Sequence, residues 1–158
     1  DDGDFRPENT INRAEFTKIL VQTRFSAELE NFELPAESCF SDVALDDWFA
    51  PFVCFAKENG IISGYSDGTF RPANSVNLAE AITILVNVFD FSVDADPDAE
   101  WFAPFVEKAT KLAILPTDFG VPDSDLSRAK MAELVMRGLK YERGELVDYL
   151  EILNENEN

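Results

Sequence analysis

Three short stretches place comparable residues at the start of an apolar run: Asn12-Arg13-Ala14-Glu15, Asn77-Leu78-Ala79-Glu80 and Ser127-Arg128-Ala129-Lys130. The leading asparagine or serine and the glutamate are explained as helix caps. The cap oxygen accepts an orphan amide of the first turn, and the glutamate reaches back to the cap residue's own amide. The arginine is not explained this way, because a cation in the first turn opposes the helix macrodipole. A guanidinium beside unpaired first-turn amides does suit an anion, which can accept two parallel hydrogen bonds from it. Arg13 and Arg128 are therefore candidate anion-binding residues, and the alternative for each is a solvated surface arginine. Leu78 cannot pair with an anion, so the middle stretch lacks that contact.

Other chemistry is sparse. Histidine is absent and there are two cysteines, which removes Cys/His zinc sites and histidine-based catalysis. Carboxylates are plentiful, but no pair has a reason for perturbed proton affinity, so no enzyme and no cofactor are expected. Asp94, Asp96, Asp98 and Glu100 could offer oxygen ligands to calcium. They lack the glycine and terminal glutamate spacing of an EF-hand, and a solvated acidic linker is the preferred reading. Asp67-Gly68 is a turn device in which glycine permits positive φ and aspartate bonds locally, and Asp2-Gly3 reads the same way. Cys39 and Cys54 flank a turn and the helix after it, where the chain folds back. A disulfide and two buried free thiols both remain open there.

The chain has 158 residues, 46% of them hydrophobic, including 14 phenylalanines. That is enough to bury a real core. The net charge is −18, from 31 acidic and 13 basic residues. Such a surface repels nucleic acid and anionic lipid, so neither is an expected partner. An anionic ligand would need a local basic pocket or a bridging cation. No apolar run reaches the roughly 18 residues of a membrane span, so membrane insertion is not expected.

The elements that position these residues form a repeat. Asp67-Gly68-Thr69-Phe70-Arg71-Pro72 and Asn77 to Glu80 lie 65 positions after Asp2 to Pro7 and Asn12 to Glu15. Trp101 to Val106 repeats Trp48 to Val53 letter for letter. Residues 1–26 read as the second half of a first unit, with Ile11 and Phe16 as a hydrophobic staple around the cap. Residues 27–39 are an acidic connector. Residues 40–91 are a complete second unit: a turn fixed by Asp42 bonding nearby amides, a helix capped by Asp46 or Asp47 and stopped at Gly60, a glycine-rich loop, and a second helix. Residues 92–140 form a third unit whose middle loop has degenerated and whose Lys130 breaks the capping box. Residues 141–158 read as one extra amphipathic helix, beginning after Gly138, with a frayed tail. Because the chain opens in mid-unit, a trimmed fragment is expected.

These motifs resemble the S-layer homology (SLH) family of bacterial cell-envelope anchoring modules. The resemblance rests on Phe40-Ser41-Asp42-Val43, the tryptophan-led helix, Gly60 to Pro72, and the Asn-Arg-Ala-Glu type of helix start. It covers most of the chain up to about Lys140. It implies a mainly α fold, with three helix-loop-helix repeats around a pseudo-threefold axis and ligand grooves between them. It implies export to the cell surface and non-covalent binding to a peptidoglycan-linked wall polysaccharide, often acidic. The arginines at positions 13 and 128 would pair with the acidic sugar, and other surface-layer subunits are possible partners. Export favours the Cys39–Cys54 disulfide. Trp48 and Trp101 are candidate sugar-stacking residues, and Asp67 and Gly68 candidate groove residues. At helix starts inside apolar repeats, however, both tryptophans read more readily as core anchors. The same fold with decayed grooves, used for lattice or fibre assembly, is the alternative function.

Overall fold

The structure, a computed structural model, describes residues 4–94, 96–116 and 119–156. The Asp2-Gly3 turn and the last two residues of the tail lie outside them. Among the described residues the fold is mainly α, with seven helices. These are α1 (Arg13–Arg24), α2 (Ser26–Glu30), α3 (Ala50–Glu58), α4 (Leu78–Val88), α5 (Ala103–Lys111), α6 (Arg128–Glu142) and α7 (Leu146–Asn156).

Each of α1, α4 and α6 is preceded by a short extended segment, and the three segments meet. The Ile11 amide donates to the Leu126 carbonyl at 3.1 Å, Val76 to Ile11 at 3.1 Å, and Leu126 to Val76 at 2.9 Å. The hydrogen bonds form a closed cycle, so each unit donates to one neighbour and accepts from the other. The side chains of Ile11, Val76 and Leu126 are fully or almost fully buried at this junction. Apolar plugs and satisfied backbone groups thus coincide, which lets such short strands persist without a sheet.

The same rotation recurs at the helix starts. Arg13 and Ala14 donate their amides to the Asn74 and Pro72 carbonyls, Leu78 and Ala79 to Ser124 and Pro122, and Arg128 and Ala129 to Asn9 and Pro7. The first-turn amides therefore hold the units together and are not open to an anion, which corrects the expectation of unpaired amides there. The third unit keeps this geometry despite its altered loop. Arg6 and Arg71, each before a proline, take positive φ of 46° and 59°. In the third unit Val121 precedes the proline, and the positive φ falls on Gly120 at 131° instead. A β-branched residue would be strained in the left-handed region, whereas glycine is not.

The helices pack in sequence: α3 against α1, α5 against α4, and α7 against α6. The extra C-terminal helix thus stands on α6 as the first helix of each unit stands on the preceding one. Its start differs from the expected one. Helix α6 continues through Gly138 to Glu142, and a Cβ at Gly138 would meet the Phe89 ring at 2.6 Å. The close approach, not a helix stop, explains that glycine, and α7 begins after Gly144. It extends to Asn156, into the stretch expected to fray.

Two further local expectations change. Helix α3 has no side-chain cap; Asp47 instead accepts the Ala44 amide in the preceding turn. Asp42 does bond backbone amides, but those of Phe70 and Arg71, at 2.7 Å each, far along the chain. That link closes the second unit upon itself. The connector begins within α2 and is docked by Phe32 and by Phe25 just ahead of it, whose rings lie 5.4 and 5.5 Å from that of Phe55. Its end is fixed by the Cys39–Cys54 disulfide, which spans 15 residues. A loop of that length predicts that reduction, or Cys39→Ser with Cys54→Ser, lowers unfolding free energy by roughly 3 kcal/mol. Urea denaturation with and without reductant measures this; an unchanged midpoint contradicts it.

Candidate ligand grooves

Arg13 is buried, with 5% of its surface exposed. It crosses from the first unit into the second. Its Nε donates to the Phe70 carbonyl at 2.9 Å, and its Nη1 pairs with Glu80 Oε1 at 3.0 Å. The guanidinium also lies 4.9 Å from the centre of the Tyr65 ring and 5.0 Å from that of Phe70. Glu80 is closely engaged: it completes the capping box on Asn77 and accepts the Tyr65 hydroxyl. Arg13 thus has a structural reason to stand at a helix start. Its charge leaves the macrodipole and meets a carboxylate of the next unit.

This junction forms one wall of a groove of about 600 Å³. The groove is lined by residues 60–66, by Glu80, Thr83, Ile84 and Asn87 of α4, and by Trp101 of the third unit. All three units contribute. Gly64 allows the loop to close, since a Cβ there would meet Phe40 Cε1 at 2.3 Å and the Thr69 carbonyl at 2.8 Å. Burial raises the Tyr65 pKa above its ordinary value, helped by the hydrogen bond to Glu80. Tyr65 is therefore a neutral hydroxyl donor at physiological pH. The Arg71 guanidinium lies 3.9 Å from the centre of the same ring and pairs with Asp67 at 2.9 Å.

A second, shallower groove of about 350 Å³ is lined by Glu15, Lys18, Ile19, Trp48 and Arg128. It is the rotational counterpart of the first. Arg128 Nε donates to the Phe5 carbonyl at 2.8 Å, as Arg13 does to Phe70. Arg128 Nη1 is 3.9 Å from Glu15, a looser pairing than that of Arg13. Glu15, Lys18 and Ile19 stand where Glu80, Thr83 and Ile84 stand in the first groove. At the third junction Leu78 is buried where the arginines stand, and Lys130 bonds the Phe119 carbonyl.

Trp48 and Trp101 are not core anchors. They are 54% and 57% exposed, each held edge-on by the phenylalanine that follows it. The apolar repeat buries its later residues, Val53 and Ala56, while the tryptophan ahead of α3 or α5 remains at a groove rim. Asp67 and Gly68 occupy the adjacent turn and line neither groove. Gly68 takes φ of 80°, and its carbonyl accepts the Ser41 amide. Hydrogen bonds from Thr69, then from Arg71, hold the Asp67 pKa down to about 2. In the acidic linker Asp96 accepts the Asp98 amide. Among the described residues no three metal-binding side chains converge.

Lys18 and Asn87 are groove residues that the repeat motifs did not single out, while Glu80 stands there as a cap residue and Tyr65 as part of the glycine-rich loop. The 65-residue register equates Lys18 with Thr83, but the partner walls come from other units and are not visible in one dimension.

Residues 40–82 match the family model of the S-layer homology domain. The chain is similar to the middle cell wall protein of Brevibacillus brevis, with 29% identity over 150 residues, covering 93% of this chain and 14% of that protein. It is 31% identical over 165 residues to cell surface glycoprotein 1 of Acetivibrio thermocellus, covering 92% and 7%. It is 27% identical over 158 residues to the cellulosome-anchoring protein of the same organism, covering 91% and 35%. The chain therefore spans a minor part of each of these relatives.

Two outcomes follow from the geometry. Glu80→Ala and Glu15→Ala both remove a capping box, but only the first strands a buried arginine. Denaturant unfolding is expected to show a loss larger by roughly 2 kcal/mol for Glu80→Ala. Equal losses contradict the distinction. A carboxyl whose pKa is depressed on folding stabilises above its unfolded value, and that contribution fades as pH falls through the folded value. The Asp67 carboxyl signal in NMR is thus expected to titrate near 2, and higher in Thr69→Val. A midpoint near 4, the ordinary range, contradicts it.

Proposed function

With residues 40–82 belonging to the S-layer homology domain family, we propose that this chain is a non-catalytic module that holds a larger protein at the bacterial cell surface by gripping a wall polysaccharide. The observation that carries this reading is the first groove. An exposed indole stands at its rim, and Ser63, Ser66, Thr83, Asn87 and the Arg13–Glu80–Tyr65 network line it. A flat apolar face beside fixed donors and acceptors is what a sugar ring needs, with its apolar face on one side and hydroxyls around the edge. Relatives named as a cell surface glycoprotein and a cellulosome-anchoring protein support the surface location.

Trp101 supplies the stacking face, and Arg13 positions the hydrogen-bonding wall and presents its remaining donors to the ligand. Arg128 and Trp48 do the same in the second groove. Asp67 and Gly68 act indirectly, by shaping the turn that carries Tyr65. The reaction chemistry of an enzyme has no place in this reading, since the groove's one carboxylate is committed to Arg13 and Tyr65.

A second reading, an assembly module of a surface layer or fibre, is favoured by the third junction. There Leu78 and Lys130 replace the groove network. Co-sedimentation with purified cell-wall sacculi, with and without their attached polysaccharide, separates the two. Sedimentation that requires the polysaccharide is expected. It should weaken about tenfold in Trp101→Ala, the loss of an aromatic anchor at a binding centre. A folded protein that does not sediment, or one indifferent to Trp101→Ala, overturns the anchoring reading.

A further inference from the structure

The disulfide and the first groove lie at opposite ends of one line of contacts. Cys39 is followed directly by Phe40, which is 4% exposed. The Phe40 ring stacks on that of Phe70, with centres 5.5 Å apart. It also lies so close to Gly64 that a Cβ there would be 2.3 Å from Phe40 Cε1. Ser41 donates its amide to the Gly68 carbonyl at 3.2 Å, and Asp42 accepts the Phe70 and Arg71 amides at 2.7 Å each. Residues 40–42 are thus the bed on which the loop 64–71 lies. That loop supplies one wall of the first groove through Gly64, Tyr65 and Ser66, and its Phe70 carbonyl holds Arg13 at 2.9 Å.

The bed is itself tied at its upstream end by the bond from Cys39 to Cys54 of α3. The other tether there is Lys57, whose ammonium donates to the Cys39 carbonyl and lies 4.4 Å from the centre of the Phe40 ring. Lys57 is exposed, and a hydrogen bond that competes with water contributes little. A covalent link between residues 15 apart excludes open states of the segment it closes, an effect of about a hundredfold on their population. The third unit offers a comparison within the chain. The residue after the repeated stretch from tryptophan to valine is Cys54 in the second unit and Glu107 in the third, and the third lacks the glycine-rich loop as well.

We infer that the Cys39–Cys54 bond is a redox control on the first groove. Oxidised, it fixes the loop that forms the wall; reduced, it releases that loop through Phe40. The reaction is thiol–disulfide exchange with an external dithiol. Cys54 is 2% exposed and Cys39 is half-buried, so the incoming thiolate attacks the Cys39 sulfur. The bond between the two protein sulfurs breaks, and Cys54 leaves as a thiolate that takes a proton. The second thiol of the reagent then attacks the mixed disulfide, which frees Cys39 as a thiol and leaves the dithiol oxidised. The coupling runs both ways: a change that distorts the loop makes the bond easier to reduce. Disulfides persist at an oxidising cell surface and not in a reducing cytosol, so the groove attains its binding shape on export. That bearing on binding rests on the anchoring reading, whereas the coupling does not.

Two measurements on the whole chain test it. The first is the equilibrium of the bond with reduced and oxidised dithiothreitol, read by thiol alkylation and mass spectrometry. Gly64→Ala, which drives a Cβ into Phe40, is expected to shift that equilibrium about tenfold toward the protein dithiol. Gly138→Ala, which drives one into Phe89 instead, is expected to leave it unchanged. The second needs no substitution: 15N relaxation of the oxidised and the reduced chain. On reduction the amide order parameters of Gly64, Tyr65 and Ser66 are expected to fall from about 0.85 to below about 0.6, while those of Ile11, Val76 and Leu126 stay high. If Gly64→Ala does not fold, relaxation alone decides. The inference is overturned if the two glycine variants shift the equilibrium alike or not at all. It is also overturned if reduction leaves the loop rigid, or loosens the loop and the central cycle together. Co-sedimentation with sacculi, with and without dithiothreitol, separates this from the anchoring reading. A loop released on reduction in a chain that binds sacculi in neither state leaves the coupling standing and removes the anchoring reading. Sacculus binding with a loop that reduction does not move does the reverse.

Discussion

The closed cycle of backbone hydrogen bonds among Ile11, Val76 and Leu126 is the constraint on which the rest depends. It fixes where each of the helices α1, α4 and α6 begins, and therefore where the residue at the first helical position can reach. Arg13, Leu78 and Arg128 occupy that position in turn. The first-turn amides, which in most helices need water or a side chain, are satisfied by carbonyls around Pro7, Pro72 and Pro122. A unit cannot form its own helix start without its neighbour's proline turn, so the units are mutually required. This differs from an open repeat array, in which contacts run only between neighbours and the ends are free.

Around that cycle, one side chain can both join two units and form the wall of a groove. Arg13 is buried between units and pairs with Glu80, whose other oxygen interactions run to Asn77 and Tyr65. Removing any member of such a network leaves its partners short of a hydrogen bond. The groove is therefore rigid because its wall is part of the fold. The looser Arg128–Glu15 contact has fewer supports, and the third junction replaces the pair with Leu78 and Lys130. The three junctions form a graded series from fully networked to filled.

Much of the fold was legible in the sequence. The 65-residue register located both asparagine caps, and the capping boxes at Asn12 and Asn77 are present in full. Pairing of Cys39 with Cys54 was one of two open readings, and they are joined. What was not legible lies between units. The tryptophans appeared to be core residues because their sequence neighbours are apolar, whereas their position ahead of α3 and α5 puts them at the rims. The arginines appeared to face open amides because the carbonyls that take those amides lie in another unit. Gly138 appeared to end a helix because the Phe89 ring that requires it is 49 residues away. Local periodicity encodes caps and turns, but it holds no information about which unit supplies the opposite wall.

The placement of Trp48 and Trp101 also determines how the molecule reports on itself. Both indoles are solvent-facing at groove rims, and the buried aromatic side chains are phenylalanines. Emission excited in the indole band therefore originates at the rims of the two grooves and not in the interior. Quenching or a spectral shift would follow occupancy of the grooves, while core disruption would register first in backbone dichroism. Light thus reads the grooves and the folded core of this protein through separate channels.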